Sequence, residues 1–297
     1  TRIVCADSGD GLQDANFSRE MAGNSILRLT TLQSWAEDTV AKLPSMRTGS
    51  FGFLDEIFDN EITTCVRNAH AAYNAMRYSD ALRAVWFDME NLRSQYAIFS
   101  NGDLHADVIR RFLEVQTVIL SPVAPHFCEH LWQSVLGKST FVVEEKWPHP
   151  EKEVDSILAR QYEVIQGTLR TFRQELDKHV TGGRKGKKGQ AALPEKPTHM
   201  VIFVARAWKP WQQDIMGVLQ RVELDEENNP KDKDFMLMLR DSDVFKALPK
   251  ENAKQAMPFA SFIMKEEVKR RGRAALESRL PFDEASMLKD LLPVIRS

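Results

Sequence analysis

The sequence predicts a mainly α-helical protein, in which an antiparallel helical bundle is followed by a smaller α/β domain. Over residues 1–180, apolar side chains recur every three or four positions, as they do on one face of a helix. Short turns rich in Pro, Gly or Asn separate these segments, and helices joined by short turns pack most simply as an antiparallel bundle. Past residue 181 the composition changes, first to Gly, Lys and Arg and then to a β-branched apolar run.

Composition limits the class of protein. At about 150 residues per domain, the length of 297 residues predicts two domains, although it also allows one or three. The 40 Lys and Arg residues against 42 Asp and Glu residues leave a net charge of −2, so nucleic-acid binding needs a local cationic patch. No apolar run reaches the roughly 20 residues of a membrane helix. We therefore expect no membrane span. Three scattered cysteines indicate a reducing compartment, so we expect a cytoplasmic protein.

Six helices are predicted over residues 1–180. Pro44 ends the first, Ser79 caps the third, and a turn at 100–103 ends that third helix. In the second helix the apolar positions step by three or four; they are Leu54, Phe58, Ile62, Val66, Ala69, Tyr73 and Met76. The predicted helices cover residues 16–42 with Asn16 as N-cap, 53–77, 79 to the turn at 100, 104–120, 124–136 and 154–180.

The second part of the chain is predicted to mix strands and helices. Residues 181–190 hold four glycines and four basic residues with nothing apolar to bury, so they form a flexible linker or loop. The run at 200–204, MVIFV, has the composition of a buried strand. A second strand is predicted at 275–281, and helices are predicted at 208–222, 232–239, 243–248, 251–271 and 283–291.

Two apparent catalytic motifs are better explained as structural features. Gly137-Lys-Ser-Thr lacks the glycine that a phosphate-binding loop needs five positions earlier, so Gly137 is interpreted as a helix C-cap. His126, Glu129 and His130 have the H-x-x-E-H spacing of some zinc peptidases. No third ligand stands out, and the segment follows two prolines at a helix start, so we predict no zinc there. The residues alone indicate no active site in this chain.

The chemically informative signal is basic. Arg184, Lys185, Lys187 and Lys188 lie close together in the Gly-rich segment and have the charge to contact a phosphate backbone. A solvated linker remains the alternative interpretation. Trp208 and Trp211 flank Lys209 and Pro210, where stacking on bases competes with packing into a core. A second basic cluster at 269–273 ends a predicted helix, where the helix dipole also favours cations.

Several segments resemble one enzyme family. Residues 120–132, LSPVAPHFCEHLW, and the Trp-Pro at 147–148 resemble the helical bundle of class I aminoacyl-tRNA synthetases for leucine, isoleucine, valine and methionine. The start, TRIVCADSGD with DANF at 14–17, resembles the segment after the KMSKS loop of leucyl-tRNA synthetases. Three further segments resemble the archaeal and eukaryotic cytosolic leucyl type: PTH at 197–199 with VIFVA after it, WKPWQ at 208–212 and MPF at 257–259.

The resemblance implies where the domains begin and end, and which part of the enzyme's function belongs to this chain. It implies a connection from a missing catalytic domain over 1–15, a tRNA-binding bundle of the class I anticodon-binding type over 16–180, a basic linker over 181–197 and a truncated α/β domain over 198–297. The HIGH and KMSKS signatures and the editing domain are absent, and residue 1 is Thr, so we expect a piece of a longer enzyme that is inactive alone. We also expect residues 1–10 to be loosely held.

The family's chemistry then predicts ligands and partners. The full enzyme would use ATP and Mg²⁺ to attach leucine to its tRNA, and this chain would need no cofactor. We predict leucine tRNA as the ligand, with no DNA and no membrane, contacted by residues Arg67, Arg77, Arg83, Arg184, Lys185, Lys187 and Lys188. His126 and Trp132 are expected to be structural. The alternative function is a module that docks the synthetase to other synthetases or to scaffold proteins.

Overall fold

The computed structural model describes residues 1–11, 17–148, 152–181, 201–205, 207–225, 228–231, 234–277 and 279–296. The predicted cap at Asn16 and the predicted basic contacts at 184–188 lie outside these residues. The chain divides into two compact units, one of Thr1–Glu195 with Leu288–Ser297 and the other of Lys196–Met287. None of the helices in the described ranges is both long and apolar enough to cross a membrane.

The first unit is a helical bundle, and all six predicted helices are present with shifted ends. A helix that the periodicity did not predict, α1, precedes them. The helices are α1 (Arg2–Asp7), α2 (Arg19–Lys42), α3 (Phe53–Asn74), α4 (Tyr78–Leu82), α5 (Met89–Phe99), α6 (Ala106–Leu120), α7 (Pro125–His130) and α8 (Ser156–Thr181). Two π-helical turns continue the α-helices: Arg83–Asp88 joins α4 to α5, and Leu131–Val135 extends α7.

Local chemistry explains where these helices start and stop. Ser18 caps α2, because its hydroxyl accepts a hydrogen bond from the Met21 N–H. Helix α3 ends before Met76, whose φ of 57° lies in the left-handed region. Gly137, at φ 68°, ends the helix that contains the second π turn, which confirms its interpretation as a cap.

An aromatic chain joins four helices in the core of the bundle. Phe58 of α3 stacks on Tyr96 of α5, with ring centroids 4.2 Å apart, and lies 5.7 Å from the ring of Phe112 of α6. Phe112 in turn meets Trp35 of α2 edge-on at 5.8 Å. The guanidinium of Arg93 covers the Trp35 ring at 4.1 Å, which closes the chain at the bundle surface.

Hydrogen bonds to the buried carboxylate of Asp55 link the segment before α3 to the segment before α6. Asp55, whose side chain is 1% exposed, accepts two hydrogen bonds of 2.8 Å from Arg47 and one of 2.7 Å from the Gly52 N–H. The Tyr96 hydroxyl also donates to Asp55 and itself accepts from the His105 N–H at 3.1 Å. Both oxygens of this carboxylate are therefore matched by donors, as burial of a charge requires.

Residues 1–10 are packed against the bundle, so the expectation that they are loosely held is wrong. Ile3 and Val4 of α1 are buried. Asp10 accepts hydrogen bonds from the backbone N–H of Tyr78, at 2.8 Å, and of Ser79, at 3.3 Å. These are orphan donors of the first turn of α4, so a carboxylate 68 residues away in sequence caps that helix.

Replacing Asp10 by Ala is expected to lower the free energy of unfolding by about 1 kcal/mol, because two N–H groups lose their cap. Asp10→Asn keeps an acceptor oxygen and is expected to lose less than half of that. Urea unfolding of both variants measures the difference. Asp7→Ala, which removes an exposed carboxylate of the same segment, is the control. Equal losses for Asp7→Ala and Asp10→Ala would show that the cap contributes nothing.

Helix α8 packs on α3, and this contact brings two glutamates, Glu61 and Glu163, close enough to repel each other. Asn60 and Asp155 exchange hydrogen bonds of 3.0 and 2.8 Å between side chain and backbone, which fixes the start of α8. One residue further along α3, burial raises the pKa of Glu61 to about 7, and repulsion from Glu163 of α8 adds to the rise. Because the folded pKa lies above the unfolded value near 4.5, the folded state loses stability as the pH rises from about 4.5 to about 7.

The Glu61→Gln variant is expected to be more stable than the natural chain by about 2 kcal/mol at pH 8 and equal to it near pH 4. The amide has no charge to bury, so its stability lacks this pH dependence. Urea unfolding at four pH values between 4 and 8 measures the two curves. The matched control is Glu56→Gln, on the exposed side of α3. A Glu61→Gln curve parallel to that of the natural chain would contradict the prediction.

The second unit is also helical. Its helices are α9 (Pro210–Leu219), α10 (Phe235–Asp241), α11 (Asp243–Lys246), α12 (Lys250–Phe262) and α13 (Lys269–Arg271), and a π turn at Ile263–Val268 joins the last two. Its core combines Trp211, Ile215 and Leu219 of α9 with Leu239 and Ala260. The chain then forms a 3₁₀ helix at Gly272–Leu276 and begins α14 (Glu284–Asp290). The last helix, α15 (Leu292–Arg296), belongs to the first unit.

The mainly α prediction is confirmed, but the predicted strands are wrong. Residues 201–205 form no strand, and Phe203 is 92% exposed, because no strand in the described ranges lies beside them to complete a ladder. In place of the strand at 275–281, Gly272–Leu276 turns as a 3₁₀ helix that buries Ala275 and Leu276. The second unit, where it is described, is therefore helical rather than α/β, with one isolated bridge between Leu224 and Pro230.

Candidate nucleic-acid interface

A phosphate backbone is contacted by cations that are exposed and not already neutralised by a carboxylate. Many cations of the bundle fail the second condition, because they form ion pairs within it. These pairs are Arg28–Glu90, Arg47–Asp55, Arg47–Asp103, Arg77–Asp80, Arg110–Asp107, Arg111–Asp59, Lys138–Glu114, Lys152–Asp59, Arg160–Glu163 and Lys178–Glu175. Among the described residues between positions 17 and 181, the exposed cations without an ion pair are Arg19, Lys42, Arg67, Arg83, Lys146, Arg170 and Arg173.

The predicted contact residues divide between these two groups. Arg67 projects from the exposed side of α3 with no ion pair among the described residues. Arg77 is exposed but lies 3.5 Å from the Asp80 carboxylate. Arg83, in the first π turn, is exposed and lies near Asp88: burial raises the pKa of that carboxyl, and Arg83 partly offsets the rise. Arg77 and Arg83 flank the same short helix, whereas Arg67 lies on another.

The packing of Trp147 adds a cation that sequence reasoning missed. The Trp147 ring lies 5.7 Å from Tyr73, edge-on, and 6.2 Å from the ring of His70, both on α3. Its neighbour Lys146 is exposed, and the packing of Trp147 brings the backbone of Lys146 close to the α3 turn that carries His70. The Trp-Pro motif was the available signal, but a motif read along the chain does not show which helix it packs on.

Two residues of the H-x-x-E-H segment make contacts within the bundle, whereas His126 is exposed. The Glu129 carboxylate accepts a hydrogen bond of 3.0 Å from the Val142 N–H, and a His130 ring nitrogen lies 3.2 Å from the Gln33 amide. Trp132 is buried, as expected for a structural residue, and its indole N–H donates to the Thr140 hydroxyl at 3.2 Å. Within the described ranges, no three His, Cys, Asp or Glu side chains are grouped so that they could hold a metal ion.

Most of the helical bundle is matched by a known family. Residues 55–180 match the family described as the anticodon-binding domain of tRNA ligase, so this unit carries an anticodon-binding domain of that class. Residues 204–281 match the RagD-binding domain of leucine--tRNA ligase. The chain belongs to the leucine--tRNA ligase family, and resembles its members along nearly its whole length.

Individual relatives agree with this assignment. The cytoplasmic leucine--tRNA ligase of Pongo abelii is 32% identical to this chain, over 97% of the chain and 24% of the relative. The cytoplasmic leucine--tRNA ligase of Arabidopsis thaliana is also 32% identical, over 100% of the chain and 28% of the relative. The Saccharomyces cerevisiae protein is 30% identical, over 97% and 25%. This chain therefore spans about a quarter of the length of the curated relatives that it matches.

Proposed function

We propose that this chain is the tRNA-binding portion of a cytoplasmic leucine--tRNA ligase, in which it positions leucine tRNA and the rest of the enzyme performs the chemistry. The match of residues 55–180 to an anticodon-binding domain carries this proposal. A rigid helical bundle with a few unpaired cations suits recognition of an RNA by its shape, through phosphate and 2′-OH contacts. The whole enzyme would use ATP and Mg²⁺ to attach leucine to tRNA, and this chain would be inactive alone.

The test is binding of this chain to leucine tRNA between 50 and about 300 mM salt, with a tRNA that lacks the long variable arm as the control. Phosphate contacts release counterions, so the logarithm of the association constant should fall linearly with the logarithm of the salt concentration. Preference for leucine tRNA with a steep slope supports the proposal. Equal affinity for both RNAs would reduce the surface to a general polyanion site, and no binding at 50 mM salt would contradict the proposal.

A second candidate function is docking of a protein partner by the second unit. Its match to a RagD-binding domain favours this. So does its exposed apolar surface, since Phe203, Leu237 and Phe262 are each more than half exposed. Purified RagD added to the chain should form a complex whose affinity changes little with salt, in contrast to the tRNA complex. Absence of that complex, with tRNA binding intact, would leave only the RNA-binding function.

A further inference from the structure

Three polar side chains share a face of α3 at the place where the segment before α8 packs on that helix. Arg67, His70 and Asn74 lie three and four positions apart, so they share one face of α3 over about 10 Å of helix. Asn74 Nδ2 lies 3.2 Å from a ring nitrogen of His70. Lys146 joins them from a distant part of the chain, because Trp147 packs against His70 and Tyr73. We call Arg67, His70, Asn74 and Lys146 the α3 patch.

The charge of the α3 patch is not neutralised within the described chain. Arg67 and Lys146 are exposed and form no ion pair there, whereas nine other cations of the bundle are matched to carboxylates. Arg67 lies one helical turn before His70 on α3, and Lys146 directly precedes Trp147, whose ring packs on His70 and Tyr73. Two cations together with an imidazole and an amide form a set of donors complementary to an anion.

The aromatic residues beside the α3 patch are not available for stacking. The Tyr73 hydroxyl donates to the Ile119 carbonyl at 3.1 Å, and its ring meets Trp147 at 86°. Trp147 is only partly exposed and is in contact with two α3 rings. Single-stranded RNA is held mainly by bases stacked on free aromatic faces, whereas a duplex stem offers phosphates and 2′-OH groups. The patch has the chemistry for the second kind of contact.

From these observations we propose that the α3 patch binds the sugar–phosphate backbone of an RNA stem, with Arg67 and Lys146 on phosphates and His70 and Asn74 on neighbouring phosphate or 2′-OH oxygens. The inference rests on the proposed function and assigns it a place on the bundle. It adds His70, Asn74 and Lys146 to the predicted contacts. It also separates Arg67 from Arg77, which forms an ion pair with Asp80.

The experiment compares Arg67→Gln, Lys146→Gln and the double variant with the natural chain, using leucine tRNA over a series of salt concentrations. Each lost phosphate contact lowers the salt slope by about 1, so the double variant should lose about 2 and bind about tenfold more weakly. The controls are Lys178→Gln and Arg110→Gln, which remove exposed cations already paired with Glu175 and Asp107. Their affinities should change less than about twofold, because paired surface cations contribute little.

The outcomes separate the patch from the proposed function. If the natural chain binds leucine tRNA and the double variant keeps its slope and affinity, the α3 patch is overturned while tRNA binding stands. If the natural chain does not bind, both are overturned. A stem of about 12 base pairs should also bind more tightly than a single strand of the same sequence, and equal affinity would overturn the assignment to a stem. Urea unfolding midpoints within error of the natural chain show that the variants are folded.

Discussion

Replacing Arg47 by Met is expected to lower the free energy of unfolding by about 3 kcal/mol at pH 7. Removing one partner of a buried ion pair leaves the other charge uncompensated, which costs about 3–5 kcal/mol. The lower end applies because the Arg47 side chain is 33% exposed, although Asp55 is almost fully buried. Without the guanidinium, the Asp55 carboxylate keeps only the Gly52 N–H and the Tyr96 hydroxyl as donors. Urea unfolding measures the loss.

The same substitution should change the pH dependence of stability. Burial acts to raise the pKa of Asp55, but hydrogen bonds from Arg47, Tyr96 and the Gly52 N–H outweigh it and hold the pKa below its usual value of 3.8. A depressed pKa contributes stability above pH 3.8 that is lost as the pH falls through the folded value. The gap between the variant and the natural chain should therefore narrow below about pH 4.

The control for Arg47→Met is Arg110→Met, which removes an exposed pair with Asp107. An exposed pair contributes about 0.5 kcal/mol or less, so this variant should unfold at nearly the natural urea concentration. Asp55→Asn combined with Arg47→Met should cost less than the sum of the two single variants, because the double variant leaves no unpaired charge. Losses of equal size for Arg47→Met and Arg110→Met would contradict the role given to the buried carboxylate.

Replacing Phe112 by Ala is expected to lower the free energy of unfolding by about 3–5 kcal/mol. Phe112 is 0% exposed and links the Phe58 ring to the Trp35 ring, so its removal opens a cavity between three helices and breaks two ring contacts. Phe112→Leu refills part of that volume and should cost about 1–1.5 kcal/mol. Thermal and urea unfolding of both variants give the two values.

Phe141→Ala is the matched control, because it removes the same side chain from a position that is 53% exposed. Its stability should change by less than about 0.5 kcal/mol. A loss at Phe141 as large as that at Phe112 would show that burial does not decide the cost. A Phe112→Ala variant that keeps the natural stability would mean that the core collapses around the missing ring, contrary to the rigid aromatic chain described above.

Periodicity predicted the buried face of the bundle well. The predicted inward positions Phe58, Ile62, Val66 and Ala69 of α3 are each no more than 2% exposed. The prediction succeeds because a helix has about 3.6 residues per turn, so residues three or four positions apart lie on the same side of it, whatever they pack against. Periodicity gave no warning about α1, since a helix of 6 residues is too short to show a pattern.

The wrong and the missed predictions concern features that depend on contacts between distant parts of the chain. The apolar run at 201–204 has strand composition, yet a strand also needs a neighbour to bond with, and composition does not supply one. Lys146 was missed for a related reason: its place near α3 follows from the packing of Trp147 against Tyr73, which joins two distant parts of the chain. Exposure and pairing of each cation decide which ones can contact a phosphate, and both are properties of the folded bundle.

The Asp10 cap also has a consequence for folding kinetics. It closes a loop of 68 residues for two exposed hydrogen bonds, so the entropy of closure exceeds the gain until the helices between are in place. We therefore expect this contact to form after the rate-limiting step. Asp10→Ala should leave the refolding rate almost unchanged and accelerate unfolding about fivefold. A fivefold change in the unfolding rate corresponds to a loss of about 1 kcal/mol in the free energy of unfolding, when the lost contact forms after the transition state. The N-terminal segment thus sets how long the bundle stays folded rather than how fast it folds.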